Sequence, residues 1–140
     1  MVSNGSWRSV SRDQWRGRLE NARAVLRAAQ DLLALADAGR SSNPIITEAI
    51  DATIAYGDSV AIRFGGIENA RDHNNLGRTL KQALGARFTP QQEQRLGQIL
   101  GEKDGAAYGH HSATVSEARE VLKLAERFSE WAEAELARPG

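Results

Sequence analysis

Apolar residues recur at steps of three and four along most of this chain, which is the spacing of one face of an α-helix. The first such stripe begins after Ser11 to Gln14, whose Ser-x-x-Gln pattern matches a capping box at a helix start. The predicted helix ends near Ala38-Gly39, before a polar loop. Its apolar face consists of Trp15, Leu19, Ala22, Leu26, Ala29 and Leu33.

Two further stripes predict a long second helix and a short third one. Asn43-Pro44 combines an N-cap residue with a proline at the first helical position, and it predicts the start of the second helix. This helix is predicted to end at Gly65-Gly66, and the third helix at Leu84-Gly85. Apolar residues form the two faces: Ile46, Ile50, Ile54 and Ala61 or Ile62 on the second helix, then Leu76, Leu80 and Leu84 on the third.

The remaining apolar positions predict two more helices. Thr89-Pro90 marks the start of the fourth helix, which is expected to run through Lys103 to Gly109. Ser116 is expected to cap the fifth helix, and Pro139 to stop it. The apolar face of the fifth helix consists of Val121, Leu122, Ala125, Phe128, Trp131 or Ala132, and Leu136.

These elements define the expected architecture. No segment shows the alternation that is typical of a strand, and no repeat has a solenoid period. The sequence therefore predicts an all-α fold, an antiparallel four- to five-helix up-and-down bundle. Residues 1–10 are polar and predict a flexible N-terminal segment, whereas residues 11–138 are predicted to form a single bundle domain.

Composition narrows the functional classes. Lysine plus arginine and aspartate plus glutamate both number 18, so no net charge favours nucleic-acid binding overall. The absence of cysteine excludes disulfides, thiolate zinc sites and a cysteine nucleophile. No apolar run approaches the roughly 18 residues of a membrane span, and no signal-peptide core is seen, so we expect a cytoplasmic protein without membrane contact. The bias towards alanine, arginine and leucine is typical of a bacterial genome rich in G and C.

The stretch GEKDGAAYGHH, residues 101–111, contains a lysine, a tyrosine and two of the three histidines. It follows a helical region and precedes the segments SEA (116–118) and LAERF (124–128). Together with AIDATIAYGD (49–58) and the sequence RDH before the third helix, this order resembles the HEPN family of helical bundle proteins, in its small bacterial form. The resemblance covers roughly residues 11–137.

The resemblance implies a homodimer and two kinds of function. Many HEPN proteins are metal-independent RNases in which an arginine binds the scissile phosphate and a histidine, separated from it by four to six intervening residues, is the general acid or base. Others bind RNA, nucleotides or partner proteins without catalysis. Some pair with a nucleotidyltransferase-type partner protein as toxin and antitoxin.

This chain departs from the catalytic pattern. Lys103 occupies the position of the arginine, and either Tyr108 or His110 occupies that of the histidine. Lysine keeps the charge but loses the planar fork that binds phosphate through two hydrogen bonds. Tyrosine is a poor base at neutral pH, whereas His110 titrates in a suitable range. On an unbroken helix His110 would lie within about 20° of Lys103, but Gly105 and Gly109 favour an earlier helix end.

Two other pairs of neighbouring residues contain a histidine. Asp72 can orient His73 for acid–base chemistry, but adjacent helical residues point about 100° apart. The alternative is an aspartate that stabilises the N-terminus of the third helix. His110 and His111 lack a third ligand at suitable spacing, so we predict no metal site. No phosphate-binding or nucleotide-binding glycine motif is present, and we predict no cofactor.

Charged and aromatic residues of the long helices have two interpretations each. Four arginines share a face of the first helix and can track a nucleic-acid backbone, or they can pair with the glutamates of the fifth helix. Tyr56 lies on the second helix with Asp51 and Asp58. Tyr56 and Asp58 can flank a cleft, but a buried tyrosine with a bonded hydroxyl is the simpler interpretation. The four arginines are Arg12, Arg16, Arg23 and Arg27.

The aromatic residues Trp15, Phe128 and Trp131 lie on apolar helix faces, and we expect them in the core or in a dimer interface.

The sequence thus favours a non-catalytic HEPN-like module that binds RNA, a nucleotide or a protein partner. The expected ligand-binding residues are Lys103, Tyr108, His110, Asp72 and His73. The first alternative is a metal-independent endoribonuclease with Lys103 and His110 as catalytic residues. The second is a purely structural dimerisation bundle.

Overall fold

Five α-helices account for most of the residues that this computed structural model describes, which are 7–37, 39–70, 72–103 and 112–139. The predicted all-α helical bundle is confirmed. Short 3₁₀ turns precede α1 and α3 and follow α3. The helices are α1 (Trp15–Ala34), α2 (Asn43–Gly65), α3 (Leu76–Leu84), α4 (Pro90–Gly101) and α5 (Val115–Leu136), and the strands are β1 (Trp7–Ser9) and β2 (Ile67–Asn69).

Helix α2 is the centre of the bundle and contacts each of the other four helices. Thirteen of its 23 residues are buried, so its burial extends well beyond the predicted isoleucine stripe. Small residues allow this close packing: a Cβ at Gly57 would lie 2.7 Å from Leu76 Cδ2, and one at Gly65 would lie 2.7 Å from Ala83 Cβ. The two glycines therefore determine how closely α3 approaches α2.

The outer helices α1 and α5 bury the faces that their spacing predicts. In α1, Leu19, Ala22 and Ala29 are buried, and the other three members of the stripe are partly buried against the core. In α5, Phe128 is fully buried, and its ring centroid lies 5.2 Å from that of Trp131. Helical periodicity thus identified the core-facing sides of both helices.

The N-terminal segment differs from the prediction. Residues 7–9, expected to be flexible, form the strand β1, which pairs antiparallel with β2 so that Trp7 faces Asn69 and Ser9 faces Ile67. The N–H of Val10 donates to the carbonyl of Gly66 at 2.9 Å and extends the pairing. Strands of three residues are too short to show a measurable alternation, which explains why the sequence did not reveal them.

The start of α1 and the start of α2 correct two cap predictions. The Ser11 side chain donates to Asp13 Oδ1 instead of capping, and α1 begins only at Trp15, after a 3₁₀ turn. Ser42 is the N-cap of α2, and the Asn43 side chain instead accepts from the N–H of Ala113 at 2.9 Å. Asn43 therefore attaches the start of α2 to the segment before α5.

Of the predicted caps of α4 and α5, the first is confirmed and the second is wrong. Thr89 is the N-cap of α4, as predicted, and accepts from the N–H of Gln92. The N-cap of α5 is Thr114, not Ser116, and it forms a capping box with Glu117. The N-cap lies two residues earlier than predicted, because Glu117 then occupies the third helical position and completes the capping box with Thr114.

Candidate functional site

Lys103 and His73 are in contact, although Lys103 follows the C-terminal end of α4 and His73 precedes the N-terminal end of α3. Helix α4 ends at Gly101, and Lys103 lies two residues beyond that end. His73 begins the 3₁₀ turn that leads into α3. The Nζ atom of Lys103 lies 3.3 Å from Nδ1 of His73, and both side chains are partly exposed. The contact joins two residues that sequence analysis selected separately.

The chemistry of the two groups fixes the direction of this hydrogen bond. An ammonium group has only donors, so Nδ1 of His73 must be the acceptor. The neutral ring then carries its hydrogen on Nε2. Lys103 retains two N–H donors, and His73 retains one. The pair therefore presents three hydrogen-bond donors and a positive charge to a ligand.

Asp51 of α2 adds a carboxylate to this pair. Partial removal from water raises the pKa of Asp51, and its electrostatic interactions with His73 and Lys103 act in the opposite direction. The three residues come from α2, from the turn before α3 and from the end of α4. We call them the Asp51–His73–Lys103 cluster. It combines two donors, an ammonium and an imidazole N–H, with a carboxylate acceptor, which suits a phosphate that lies beside a hydroxyl group.

Asp72 does not pair with its neighbour His73. Its carboxylate accepts from the N–H of Asn74 at 2.9 Å and caps the 3₁₀ turn before α3. This is the alternative that assigned Asp72 to the helix start. Asp72 therefore positions His73 through the backbone, by fixing the turn on which the imidazole lies.

The predicted site residues of the GEKDGAAYGHH stretch have different outcomes. Lys103 is described, whereas Tyr108, His110 and His111 lie outside the described residues. The prediction that α4 runs without interruption through Lys103 is wrong, because α4 ends at Gly101. The rest of the predicted stretch, residues 104–109, lies outside the described residues. The predicted 20° separation of Lys103 and His110 depends on residues 104–110, which lie outside the described residues.

The four arginines of the first helix do not form a continuous free surface. Arg23 donates two hydrogen bonds to the Glu133 carboxylate of α5, at 2.6 and 2.7 Å, as the ion-pair alternative proposed. The guanidinium of Arg16 lies 4.9 Å from the Trp15 ring centroid. Arg27 is exposed, and Arg12 lies close to Gly66 at the β2 end of the bundle.

Tyr56 is buried, and its hydroxyl donates to Glu133 at 3.0 Å. Burial, together with this hydrogen bond, raises the pKa of Tyr56 to about 12. The hydrogen bond from Arg23 is the main cause that lowers the pKa of Glu133. Tyr56 is thus a structural residue that joins α2 to α5, in line with the simpler of its two interpretations.

A second charged cluster, centred on Arg18, was not found from sequence. Arg18 contacts Glu68 of β2 at 2.5 Å and Asp58 of α2 at 3.7 Å, and Arg8 of β1 contacts Glu68 at 2.6 Å. Burial raises the pKa of Asp58 to about 6, although the N–H of Asn69 and Arg18 oppose the shift. No local pattern indicates pairs that are 50 or 60 residues apart. The cluster attaches β1 and α1 to β2.

A shallow groove between α4 and α5 passes beside Glu102, next to Lys103 in sequence. Its volume is about 520 Å³. Gly97 and Gly101 leave one side open, and Lys123 and Arg127 of α5 line the other, with Glu102 and Glu120 also present. The balance of charges gives this groove no net preference for an anion.

No protein-family model, curated protein or solved structure matches the chain. Membership of the HEPN family is therefore not shown. Across the described ranges, no helix is both long and apolar enough to span a membrane. Within the same residues, no three histidine, cysteine, aspartate or glutamate side chains are grouped as a metal site requires.

Proposed function

We propose that this chain is a non-catalytic, HEPN-like helical binding module whose ligand is an RNA or a nucleotide. The Asp51–His73–Lys103 cluster is the proposed binding site. The observation that carries the proposal is the contact of 3.3 Å between Lys103 Nζ and His73 Nδ1. Because of this contact, Lys103 and His73, which are 30 residues apart in sequence, form one set of hydrogen-bond donors.

The donors suit a phosphate group better than other common ligands. A lysine ammonium binds phosphate as a point charge, and an imidazole N–H adds a directed hydrogen bond. Both donors belong to partly exposed side chains, so a ligand can reach them from solvent. Asp51 offers an acceptor for a ribose hydroxyl. A protein partner with a phosphorylated or acidic segment would use the same donors but would leave this acceptor unused.

A fluorescence anisotropy titration with a labelled single-stranded RNA pool and with a labelled adenine nucleotide tests this proposal. Lys103→Ala and His73→Ala are expected to weaken binding by about tenfold, the equivalent of one lost charged hydrogen bond. Lys81→Ala is the matched control, because Lys81 is exposed and its ion pair with Glu93 lies on α3 and α4. Equal affinity for all four proteins would contradict the proposal.

The second candidate function is a metal-independent endoribonuclease. One observation favours it: Lys103 contacts His73, and both interact electrostatically with Asp51, so the cluster offers a carboxylate as base, an imidazole N–H as hydrogen-bond donor and an ammonium as phosphate ligand. Incubation of the RNA pool with the protein in EDTA separates the two functions. Cleavage by the wild type that Asp51→Asn and His73→Ala abolish would establish catalysis, and intact RNA that is bound would establish the binding module.

The partners implied by the HEPN resemblance remain proposals. They are a homodimer and a nucleotidyltransferase-type partner protein, in a cytoplasmic bacterial setting. The third function, a purely structural dimerisation bundle, predicts that neither RNA nor nucleotide binds and that Lys103→Ala has no effect.

A further inference from the structure

A cavity of about 260 Å³ opens between the C-terminal end of α1 and the start of α2. Its apolar walls include Leu32, Leu35, Pro44 and the buried Ile45. Leu32 is 40% exposed and Leu35 is 83% exposed, and they are the only exposed large hydrophobic residues in the described part of the chain. A ligand with an apolar group would remove this leucine surface from water, which favours binding.

Two opposite charges, those of Asp37 and Arg40, line the same cavity, and both side chains are exposed. Among the described residues, the guanidinium of Arg40 has no hydrogen-bond or ion-pair partner. The Asp37 carboxylate accepts from the N–H of Gly39 through Oδ1 at 2.9 Å, which leaves Oδ2 available. The cavity therefore offers one cation and one anion to a ligand.

Ser42 adds a buried hydroxyl to the cavity that it lines. It is 3% exposed and is the N-cap of α2, but its hydroxyl forms no hydrogen bond with the described residues. Every completely buried polar side-chain atom in the described ranges has a hydrogen-bond partner, so the Ser42 hydroxyl must still be reached from outside. The cavity provides that access, and the hydroxyl can bind a polar group of a ligand there.

We propose that this cavity, which we call the Arg40 site, binds a free apolar α-amino acid such as leucine. The Arg40 guanidinium and the Ser42 hydroxyl donate to the carboxylate of the ligand, and its ammonium group donates to the Asp37 carboxylate. The apolar side chain of the ligand lies against Leu35 and Ile45. The volume of the cavity equals that of about nine water molecules, and leucine has about nine non-hydrogen atoms.

The charges distinguish an amino acid from other ligands of similar size. A fatty acid would bring its carboxylate close to Asp37 without a compensating cation, and an alkylamine would leave Arg40 unused. A phosphate would meet one cation and one carboxylate, and the start of α2 adds no donor for it. The N–H of Asn43 already donates to Ser41 Oγ at 3.2 Å, and Pro44 has no N–H. A zwitterion with an apolar side chain uses both charges and the apolar wall.

Isothermal titration calorimetry of the full chain with L-leucine tests the proposal. The wild type is expected to bind with a dissociation constant on the order of 0.1 mM. Arg40→Gln is expected to weaken binding at least about tenfold, because the carboxylate loses its cation. Leu35→Asp is expected to have an effect of about the same size, because it places a charge in the apolar wall. Arg27→Gln is the matched control, since Arg27 is an exposed arginine of α1 that does not line the cavity.

Leucine analogues identify the occupant with the wild type alone, so this second test does not depend on the folding of a variant. Leucinamide lacks the carboxylate and 4-methylpentanoate lacks the ammonium group, and each is expected to bind at least about tenfold more weakly than leucine. Glycine keeps both charges without an apolar side chain and is also expected to bind at least about tenfold more weakly. Equal affinity for leucine and either charge-deficient analogue would overturn the assignment to an amino acid.

The Arg40 site is independent of the proposed RNA or nucleotide site, with which it shares no residue. Lys103→Ala is expected to leave leucine binding unchanged, and Arg40→Gln to leave RNA and nucleotide binding unchanged. Circular dichroism confirms that each variant is folded. The proposal is wrong if the folded wild type binds neither leucine nor isoleucine, valine or phenylalanine at about 10 mM, or if Arg40→Gln and Leu35→Asp bind leucine as tightly as the wild type.

Discussion

The Tyr56 hydroxyl donates to the Glu133 carboxylate at 3.0 Å, and Arg23 binds the same carboxylate through two nitrogens. One carboxylate thus joins α1, α2 and α5. Glu133 is about one third exposed. Its two donors differ, because Arg23 is half exposed whereas Tyr56 is buried. The exposed Arg23 can bind water instead, but the buried hydroxyl of Tyr56 cannot.

Removal of the acceptor is therefore expected to cost more than removal of the hydroxyl. Tyr56→Phe should lower the free energy of unfolding by about 1 kcal/mol, and Glu133→Ala by about 2 kcal/mol because a buried donor is left without a partner. The double variant should cost less than the sum by about 1 kcal/mol. Urea unfolding measures all three, with Glu133→Gln as the control that keeps an acceptor. Strictly additive costs would show that the hydroxyl does not depend on Glu133.

The raised pKa of Asp58 predicts a dependence of stability on pH. Its value is about 6 in the folded chain and close to 3.8 when unfolded, so the folded state prefers the protonated carboxyl. This group therefore contributes least stability above pH 6, and its contribution increases as the pH falls from 6 to 4. Over that range the change is about 3 kcal/mol.

Asp58→Asn isolates this effect from the other carboxylates. The pKa values of Glu68 and Glu133 are lowered, so the stability that these carboxylates contribute decreases as the pH falls. This decrease partly masks the effect of Asp58 in the wild type. The stability of Asp58→Asn relative to the wild type should therefore rise between pH 4 and pH 7. Urea unfolding across this range measures the difference, and Asp31→Asn at an exposed site should show none. A difference that is independent of pH would contradict the assigned shift.

Arg18 is expected to matter more than Arg8. Arg18→Ala leaves Asp58 without its arginine and Glu68 with one partner instead of two, and both carboxylates are largely buried. We expect a loss of about 3 kcal/mol for Arg18→Ala. Arg8→Ala should cost about 1 kcal/mol, since Arg8 is 59% exposed and Arg18 still binds Glu68.

Urea unfolding ranks these variants, and hydrogen exchange locates the effect. Arg27→Ala is the matched control, because it removes an exposed arginine from the same helix and should change stability by less than about 0.5 kcal/mol. Arg18→Ala should also increase amide exchange in Ile67–Asn69. Equal costs for all three arginines would indicate that the cluster around Arg18 is no more than a set of solvated pairs.

Two glycine substitutions are expected to have opposite signs. Gly97→Ala on the exposed side of α4 meets no atom within 4 Å and should stabilise the chain by about 0.5–1 kcal/mol through lower backbone entropy of the unfolded state. Gly65→Ala would place a Cβ 3.0 Å from the backbone Cα of Ala83 and should destabilise it by about 2 kcal/mol. Thermal unfolding measures both. A stabilising Gly65→Ala would mean that α3 can move away from α2 without cost.

The sequence predicted the helices better than their ends. Steps of three and four identify the buried faces of α1 and α5, because the period of a helix is a local property. Cap residues are less certain, since Ser42, Asn43, Thr114 and Ser116 are all suitable and tertiary contacts decide between them. Asn43, for example, binds the N–H of Ala113, which is 70 residues away.

Long-range contacts explain why only part of the candidate site could be predicted. Lys103 and His73 were selected for their chemistry, but nothing in the sequence places them together. Arg18 was overlooked because it carries no motif and its partners follow 40 and 50 residues later. The residues of a site can be chosen from chemical type, whereas their arrangement depends on how the helices pack.

The most direct test of the central claim is the imidazole NMR signal of His73. The signal is assigned by its loss in His73→Gln, and the RNA pool or adenosine monophosphate is then added to ¹⁵N-labelled protein. If phosphate binds at the Asp51–His73–Lys103 cluster, the ring nitrogens of His73 shift in a saturable manner, and Lys103→Ala reduces the affinity of that shift. Saturable binding that leaves the His73 signal unchanged, or no binding by the folded protein, would contradict the account.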